Sequence, residues 1–468
     1  MKSRITRDVA RHIQTVSKGI IQKERRNLKN VHPAVSRFAR IIGHIFPHFP
    51  EMLDNMEDPR HPSYITYPQS ALIMLVLMKC VSGIDSMRGM TREFNTDEAI
   101  HNLSCLCKHK LEEKSDWQTV NNYLELLDPK ELQEIIQTLV RILIRTKAFT
   151  PYTILGRYPV LIDGTDYAYF RKKHSEHDLV KKTVDKETGE VTYQYFNKAL
   201  EAKILLAPGL LISIATEFIE NEDENVSKQD CELNAGYRLI RKLKKCFPKL
   251  DIIIIGDALY AVMPFMKAVK ENRWDYIFRV KAGRQSKLME DFDDLLTQIT
   301  EDSTCREVVD GEKGTARFVN HVEEVTDKSE ICNMVHYMYR TEQAIKDFNW
   351  VSSIEITQKN VKSVVKAGRS RWLEEAGFNV QKNGIFVLEH HCSHDYNAMK
   401  NHYLLIQIAH MFMQLYMSYD HVVFKLKEGI KHTAADLFIS FTTHALNEAD
   451  IEYIETKASL HLCIALVN

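Results

Sequence analysis

At 468 residues the chain exceeds what one ordinary hydrophobic core organises, so two or three units are expected. Its 44% hydrophobic and 27% charged residues are those of an ordinary soluble globular protein, and the longest apolar run, Ala71 to Met78, is too short to span a bilayer. The formal net charge of −1 hides an asymmetry. Residues 1–30 carry nine Lys or Arg against Asp8 and Glu24, a basic start that suits contact with nucleic acid and equally suits a solvated basic helix. Met1 to Arg26 lacks an apolar core, so no secretory leader is expected, and nine cysteines scattered without a repeated CxxC fit reduced thiols in a cytoplasm.

Residues 1–150 read as all helical, with apolar positions at helical spacing through Val35–Phe46, Tyr67–Val81 and Leu132–Leu143. Ser115–Asp116 precede one helix at Trp117, and Asp128–Pro129 turn the chain into another; the pair suits a helix-turn-helix or a plain helical hairpin. From Tyr158 strands and helices alternate. YPVLIDG predicts a short apolar strand closed by Asp163 and Gly164, followed by an irregular polar stretch over 171–193 and strands over 198–206 and 210–218. An amphipathic helix over 229–247 leads to LDIIIIGD, a strand so uniformly apolar that both faces must be covered. A helix over 258–271 and a strand over 274–280 come next. Short alternating runs between 283 and 349 predict a β-rich insertion, Trp350–Thr357 a further strand, and 359–382 one long helix. Helices resume over 403–417 and 434–446. The expected class is α/β (α+β overall). An RNase H-like domain would span 151–400, with its insertion at 283–349, between helical regions at 1–150 and 401–468.

Three acids fall where this order would gather them: Asp163 on the first strand, Asp257 after the isoleucine strand, and Glu375 on the long helix. A carboxylate at the mouth of an apolar strand needs compensation for lost hydration, and a divalent cation held by Asp and Glu oxygens supplies it. Magnesium, or manganese in its place, in a two-metal site would serve both sides of an in-line phosphoryl displacement. At about 100° per residue Glu375 and Lys382 lie roughly 40° and 20° from Arg371 around the helix, so Arg371 and Lys382 would flank the glutamate as phosphate-binding cations. Taken singly each residue has a plainer reading. Asp-Gly marks a turn more often than a ligand, Asp257 suits a helix cap, and Glu375 suits an i,i+4 ion pair with Arg371.

The residues resemble the DDE transposases of bacterial insertion sequences, in the group marked by Tyr-x2-Arg-x3-Glu-x6-Lys (the IS-four family). Arg371, Glu375 and Lys382 fit that spacing within RSRWLEEAGFNVQKNG; IDGTD at 162–166 and GDALYA at 256–261 match the two aspartate blocks, and KALEAKILL and KQDCELNAGYRLIRKL its linking segments. The resemblance covers about 155–400 and departs at Gly368, where the signature has Tyr. It implies a catalytic triad of Asp163, Asp257 and Glu375, a helical DNA-binding region ahead of it, and double-stranded DNA partners (terminal inverted repeats and target). It also implies a homodimer in a synaptic complex and a bacterial, nucleoid-associated location. Competing readings are an RNase H-like nuclease without strand transfer and an inactive transposase-derived DNA-binding protein. Asp166 and Glu201 suit further acids near Asp163 or solvated loop and strand-face positions. His390, His391, Cys392 and His394 look like a metal cluster but lack a second ligand group of matching spacing. Trp350 reads as an aromatic core residue.

Overall fold

The computed structural model describes residues 32–222, 228–281, 286–298, 303–309, 312–323, 331–342, 344–423 and 428–455; the basic residues of 1–30 lie outside them. Five helices open the described chain: α1 (Ala34–Ile45), α2 (Phe49–Asp54), α3 (Gln69–Val81), α4 (Met87–Glu93) and α5 (Asp97–Cys107). α6 (Trp117–Leu126) and α7 (Pro129–Arg145) follow. Oδ1 of Asp116 accepts the backbone N–H of Gln118 and Thr119 at 2.7 and 2.9 Å, and Oδ1 of Asp128 that of Lys130 at 3.0 Å, so both helices start on an acidic cap. Next come β1 (Tyr158–Phe170), β2 (Leu179–Val184), β3 (Val191–Ala207), β4 (Leu210–Ile219), α8 (Glu232–Cys246), β5 (Ile252–Gly256), α9 (Met263–Glu271) and β6 (Asp275–Val280). After α10 (Ser286–Leu296) stand β7 (Thr304–Val309), β8 (Glu312–Glu323), β9 (Ile331–Arg340) and β10 (Ile345–Ser352). The chain finishes with α11 (Val361–Ser370), α12 (Trp372–Asn383), α13 (Tyr396–Val423), α14 (Ile430–Thr443) and α15 (Glu448–Glu455).

The described residues form two compact units, one within 32–120 and 412–455 and the other within 121–411. In the first, every residue of α3 is buried, as its apolar run predicts. Buried Arg37 of α1 meets Asp420 at 3.1 Å and donates to the Tyr416 hydroxyl at 3.0 Å, while the Asn102 amide caps the end of α14 through the carbonyls of Phe441 and His444. Among the described residues no helix is long and apolar enough to cross a membrane.

The second unit is built on one mixed ten-stranded sheet in the order β2-β3-β1-β5-β6-β10-β9-β8-β7, with β4 on the flank of β3. β1, β5 and β6 run parallel, and β3 and β4 turn back antiparallel. β5, the run Ile252–Gly256, is wholly buried, as expected for a strand covered on both faces. The region read as an insertion is continuous with this sheet, because β10 pairs antiparallel with β6 through Asn349–Ser352. Its aromatic and β-branched residues join the core of the central strands: Phe318, Val335, Tyr337 and Trp350 cluster with Ile253, Ile255, Ile277 and, from α11, Val361, Val364 and Val365. Trp350 is 2% exposed and is a core residue. The polar stretch 171–193 is less irregular than its composition suggests, since Leu179–Val184 pairs with Val191–Phe196 as a hairpin.

Ile254, fully buried in β5, is the test of this layering. Ile254→Ala is expected to lower stability by about 2–5 kcal/mol in urea unfolding; a loss below about 1 kcal/mol would contradict a close-packed central strand.

Candidate active site

The last parallel pair between β1 and β5 is Leu161 with Ile255. Asp163 and Asp257 each stand two residues beyond it, Asp163 within β1 and Asp257 just past the end of β5, near enough for the Asp257 charge to act on Asp163. Strand register therefore brings the two aspartates to one place. β1 does not end at Asp163 as expected. It continues to Phe170 on the support of β3, with Asp163 opposite Glu201, so the Asp-Gly pair lies within a strand and not in a turn. Gly164 is there for room: a Cβ at that position would lie 2.3 Å from Oε2 of Glu232 and 2.8 Å from Cε of Lys198.

Asp163 is mostly buried, and burial pushes its carboxyl up to about 6. The guanidinium of Arg371 pulls in the other direction, Glu232 and Asp257 add to the rise, and the Gly164 N–H, 3.0 Å from Oδ1, opposes it. Oδ1 of Asp257 accepts the backbone N–H of Leu259 at 2.7 Å, so this aspartate also caps the loop that leads into α9.

The long helix expected over 359–382 is two helices, with Arg371 at the junction between α11 and α12. From this corner Arg371 reaches Asp163 at 3.6 Å with Nη1 and Glu375 at 2.5 Å with Nη2. Arg371 thus stands between Asp163 and Glu375. Lys382, in the last turn of the same helix, pairs with Glu389 at 2.9 Å. Of the helix aromatics, Phe378 is buried while Trp372 is 66% exposed beside Arg371. Gly368 has a packing reason as well: a Cβ there would lie 2.5 Å from the Trp350 indole, so a tyrosine has no space at this position.

Two sets of charges at this site are not evident from the strand-end pattern. Behind Asp163 lie Glu201, Lys203 and Glu374, each 1% exposed or less. Glu201, a strand-face residue in sequence terms, is buried and accepts from Ser213 at 2.6 Å and Thr216 at 2.5 Å. The ammonium of Lys203 lies 3.5 Å from the Phe378 ring centre, and neither it nor the Glu374 carboxylate hydrogen-bonds to a described residue. Burial raises the Glu374 carboxyl well above its usual range, with Lys203 opposing. On the other face Glu232 joins Lys198 at 2.7 Å and accepts from Tyr260 at 2.9 Å. The glycine after Asp163 was the one signal for this pocket, as a residue that makes room for another group. Asp166 accepts from the Tyr169 hydroxyl at 2.9 Å. The histidines stack: His391 on Phe170 and His394 on His174.

Among the described residues, the three-residue group whose ligand atoms all lie within 4.8 Å of one another is Glu428, His432 and Asp436, not Asp163, Asp257 and Glu375. Asp163 and Asp257 are joined by register, and Glu375 is held by Arg371.

A carboxylate centre at the edge of paired parallel strands, reached by an arginine–glutamate pair from a helix, is what the geometry defines. Residues 226–412 match the family model described as the transposase DDE domain, a span that includes Asp257, Arg371, Glu375 and Lys382 and begins after Asp163. The chain is also similar to a solved piggyBac transposase synaptic complex with hairpin DNA, at a TM-score of 0.41 and 13% identity over 91% of this chain and 82% of that one. No curated protein matches.

Two outcomes test this geometry. Gly368→Tyr is expected to destabilise by about 1–3 kcal/mol through overpacking on Trp350, read by thermal unfolding; Trp350→Ala in the same chain should accept the tyrosine and recover part of that loss. Asp163 binds its proton more tightly folded, near 6, than at its ordinary 3.8, so metal-free stability falls as pH rises between those values and stays low above them. In chelator at pH 7.5, Asp163→Asn should therefore melt higher than the parent, and the gain should shrink by pH 4. A variant that melts lower at pH 7.5 would sink the argument.

Proposed function

We propose that this chain is a DNA transposase of an insertion sequence, of the IS-four group and with an RNase H-like catalytic domain. The observation that supports the reading is the buried Asp163, under the charge of Asp257, with Arg371 3.6 Å from it and Glu375 paired to that arginine. The transposase DDE domain match over 226–412 supports it.

The donor set fits a hard divalent cation. All three acids offer oxygen, and Asp163 carries an ionisation that its surroundings disfavour without an added positive charge. A pair of Mg2+ ions, or Mn2+, held by Asp163, Asp257 and Glu375, would activate the attacking water or 3′-hydroxyl and stabilise the leaving oxygen. The chain's own groups do the rest. Arg371, held at the helix junction, presents a fork to a phosphate oxygen beside the scissile bond and exchanges its carboxylate partners for it. Lys382 contributes a point charge further along the backbone once released from Glu389. Buried Glu374 and Phe378 seat α12 against the sheet, which leaves Glu375 on its more exposed side. The helical N-terminal region binds the terminal inverted repeats, and two copies of the chain bring two ends together.

A strand-transfer assay with a pre-cleaved terminal end and a target plasmid tests the reading. Joined product is expected with Mg2+ or Mn2+ and none with chelator. Asp257→Asn and Glu375→Gln should each reduce joining to background while end binding in a mobility-shift assay persists. Cutting without joining would favour the nuclease; undiminished joining in either variant would defeat the site assignment.

A further inference from the structure

We propose that Glu232 is a fourth carboxylate of the Asp163–Asp257 centre, a positioning residue whose charge sets how firmly that centre holds a divalent cation. The inference rests on the metal-dependent reading above and adds a residue that the three-acid pattern omits.

Four observations place it. Glu232 stands at the N-terminal end of α8, and its carboxylate packs into the space that Gly164 leaves beside Asp163, 2.3 Å from where a Cβ would be. Its oxygens are held from the strand beside β1 and from the loop after Asp257. Nζ of Lys198, on the strand that pairs with β1, lies at 2.7 Å, and the hydroxyl of Tyr260, three residues after Asp257, donates at 2.9 Å. Glu232 therefore ties the backbone around Asp163 to the loop that follows Asp257. The pair is largely withdrawn from water, with side-chain exposures of 26% for Lys198 and 15% for Glu232, so its charges act across a poorly screened distance. Lastly, Tyr260 is itself fully buried, so its contact with Glu232 is made inside the fold.

An ordinary structural ion pair would account for the contact alone, by pinning α8 to the sheet. The two roles diverge in sign. If the pair only holds the helix, loss of either partner loosens the centre in the same direction. If the carboxylate charge acts on the cation, Lys198 competes with that cation for it, and the two losses act in opposite directions.

The experiment is a Mn2+ titration of the full chain without DNA, followed by calorimetry or electron paramagnetic resonance. It is run in a His432→Ala background so that the Glu428–His432–Asp436 group does not contribute. Glu232→Gln is expected to weaken Mn2+ binding by about ten- to hundredfold, the range for a group that supports metal ligands. Lys198→Met is expected to bind Mn2+ at least as tightly as the parent. Unchanged affinity in Glu232→Gln, or weaker binding in Lys198→Met, overturns the proposal; should Glu232→Gln fail to fold, the Lys198→Met result alone decides. Asp257→Asn serves as the reference. If it abolishes binding while Glu232→Gln does not alter it, this inference falls and the three-acid centre stands. If the parent binds no Mn2+, the metal-dependent reading itself falls, and this one with it.

Discussion

The parallel pairing of β1 with β5 is the constraint on which the centre depends. Four residue pairs, from Tyr158–Ile252 to Leu161–Ile255, fix the register, and every residue of β5 is buried. A one-residue slip would send Asp163 to the opposite face and leave Asp257 alone, because side-chain direction reverses at each step along a strand. The pair is held on both sides, by β3 against β1 and by β6 against β5. Its register thus does chemical work as well as structural work: it holds two carboxylates together where hydration is poor. Their mutual repulsion is met by Arg371, 3.6 Å from Asp163, while Glu232 adds to it.

The helical side of the centre depends on a corner. With Arg371 between α11 and α12, the guanidinium turns toward Asp163 while still reaching Glu375 one turn on. The corner is held from behind. Gly368 lets the Trp350 indole press against α11, and buried Glu374 and Phe378 seat α12 over Lys203. Glu374 and Glu375 are adjacent yet face different environments, one closed from water and the other 41% exposed in its side chain. Helical geometry alone separates their roles, since successive residues point about 100° apart.

The sequence revealed the alternation of strands and helices, the fully covered β5, the buried α3 and the core position of Trp350, because each is a local pattern of apolar residues. The pairing of Arg371 with Glu375 was equally legible at i,i+4. What lay beyond local pattern was set by distant partners. β1 runs on past Asp163 because β3 is long enough to support it, and no feature of IDGTD announces that. Glu201 and Lys203 alternate with apolar residues in a way that suits a solvated face, yet β4 and α12 cover them. Lys382 fits a spacing and pairs with Glu389, seven residues away, where the chain turns back after the helix. Gly368 read as a missing tyrosine, whereas the structure shows the space already taken by an indole from β10.

The discomfort of Asp163 has an evolutionary consequence. A buried acid crowded by other acids and lifted to about 6 is a place where loss of the charge relieves the fold. Most random substitutions reduce stability, but here removing the carboxylate would be rewarded by easier folding. In copies of such a gene released from selection for activity, this position would therefore decay early and without harm to the scaffold. An aspartate at 163 is thus kept at a cost to the metal-free fold once the pH is above about 6.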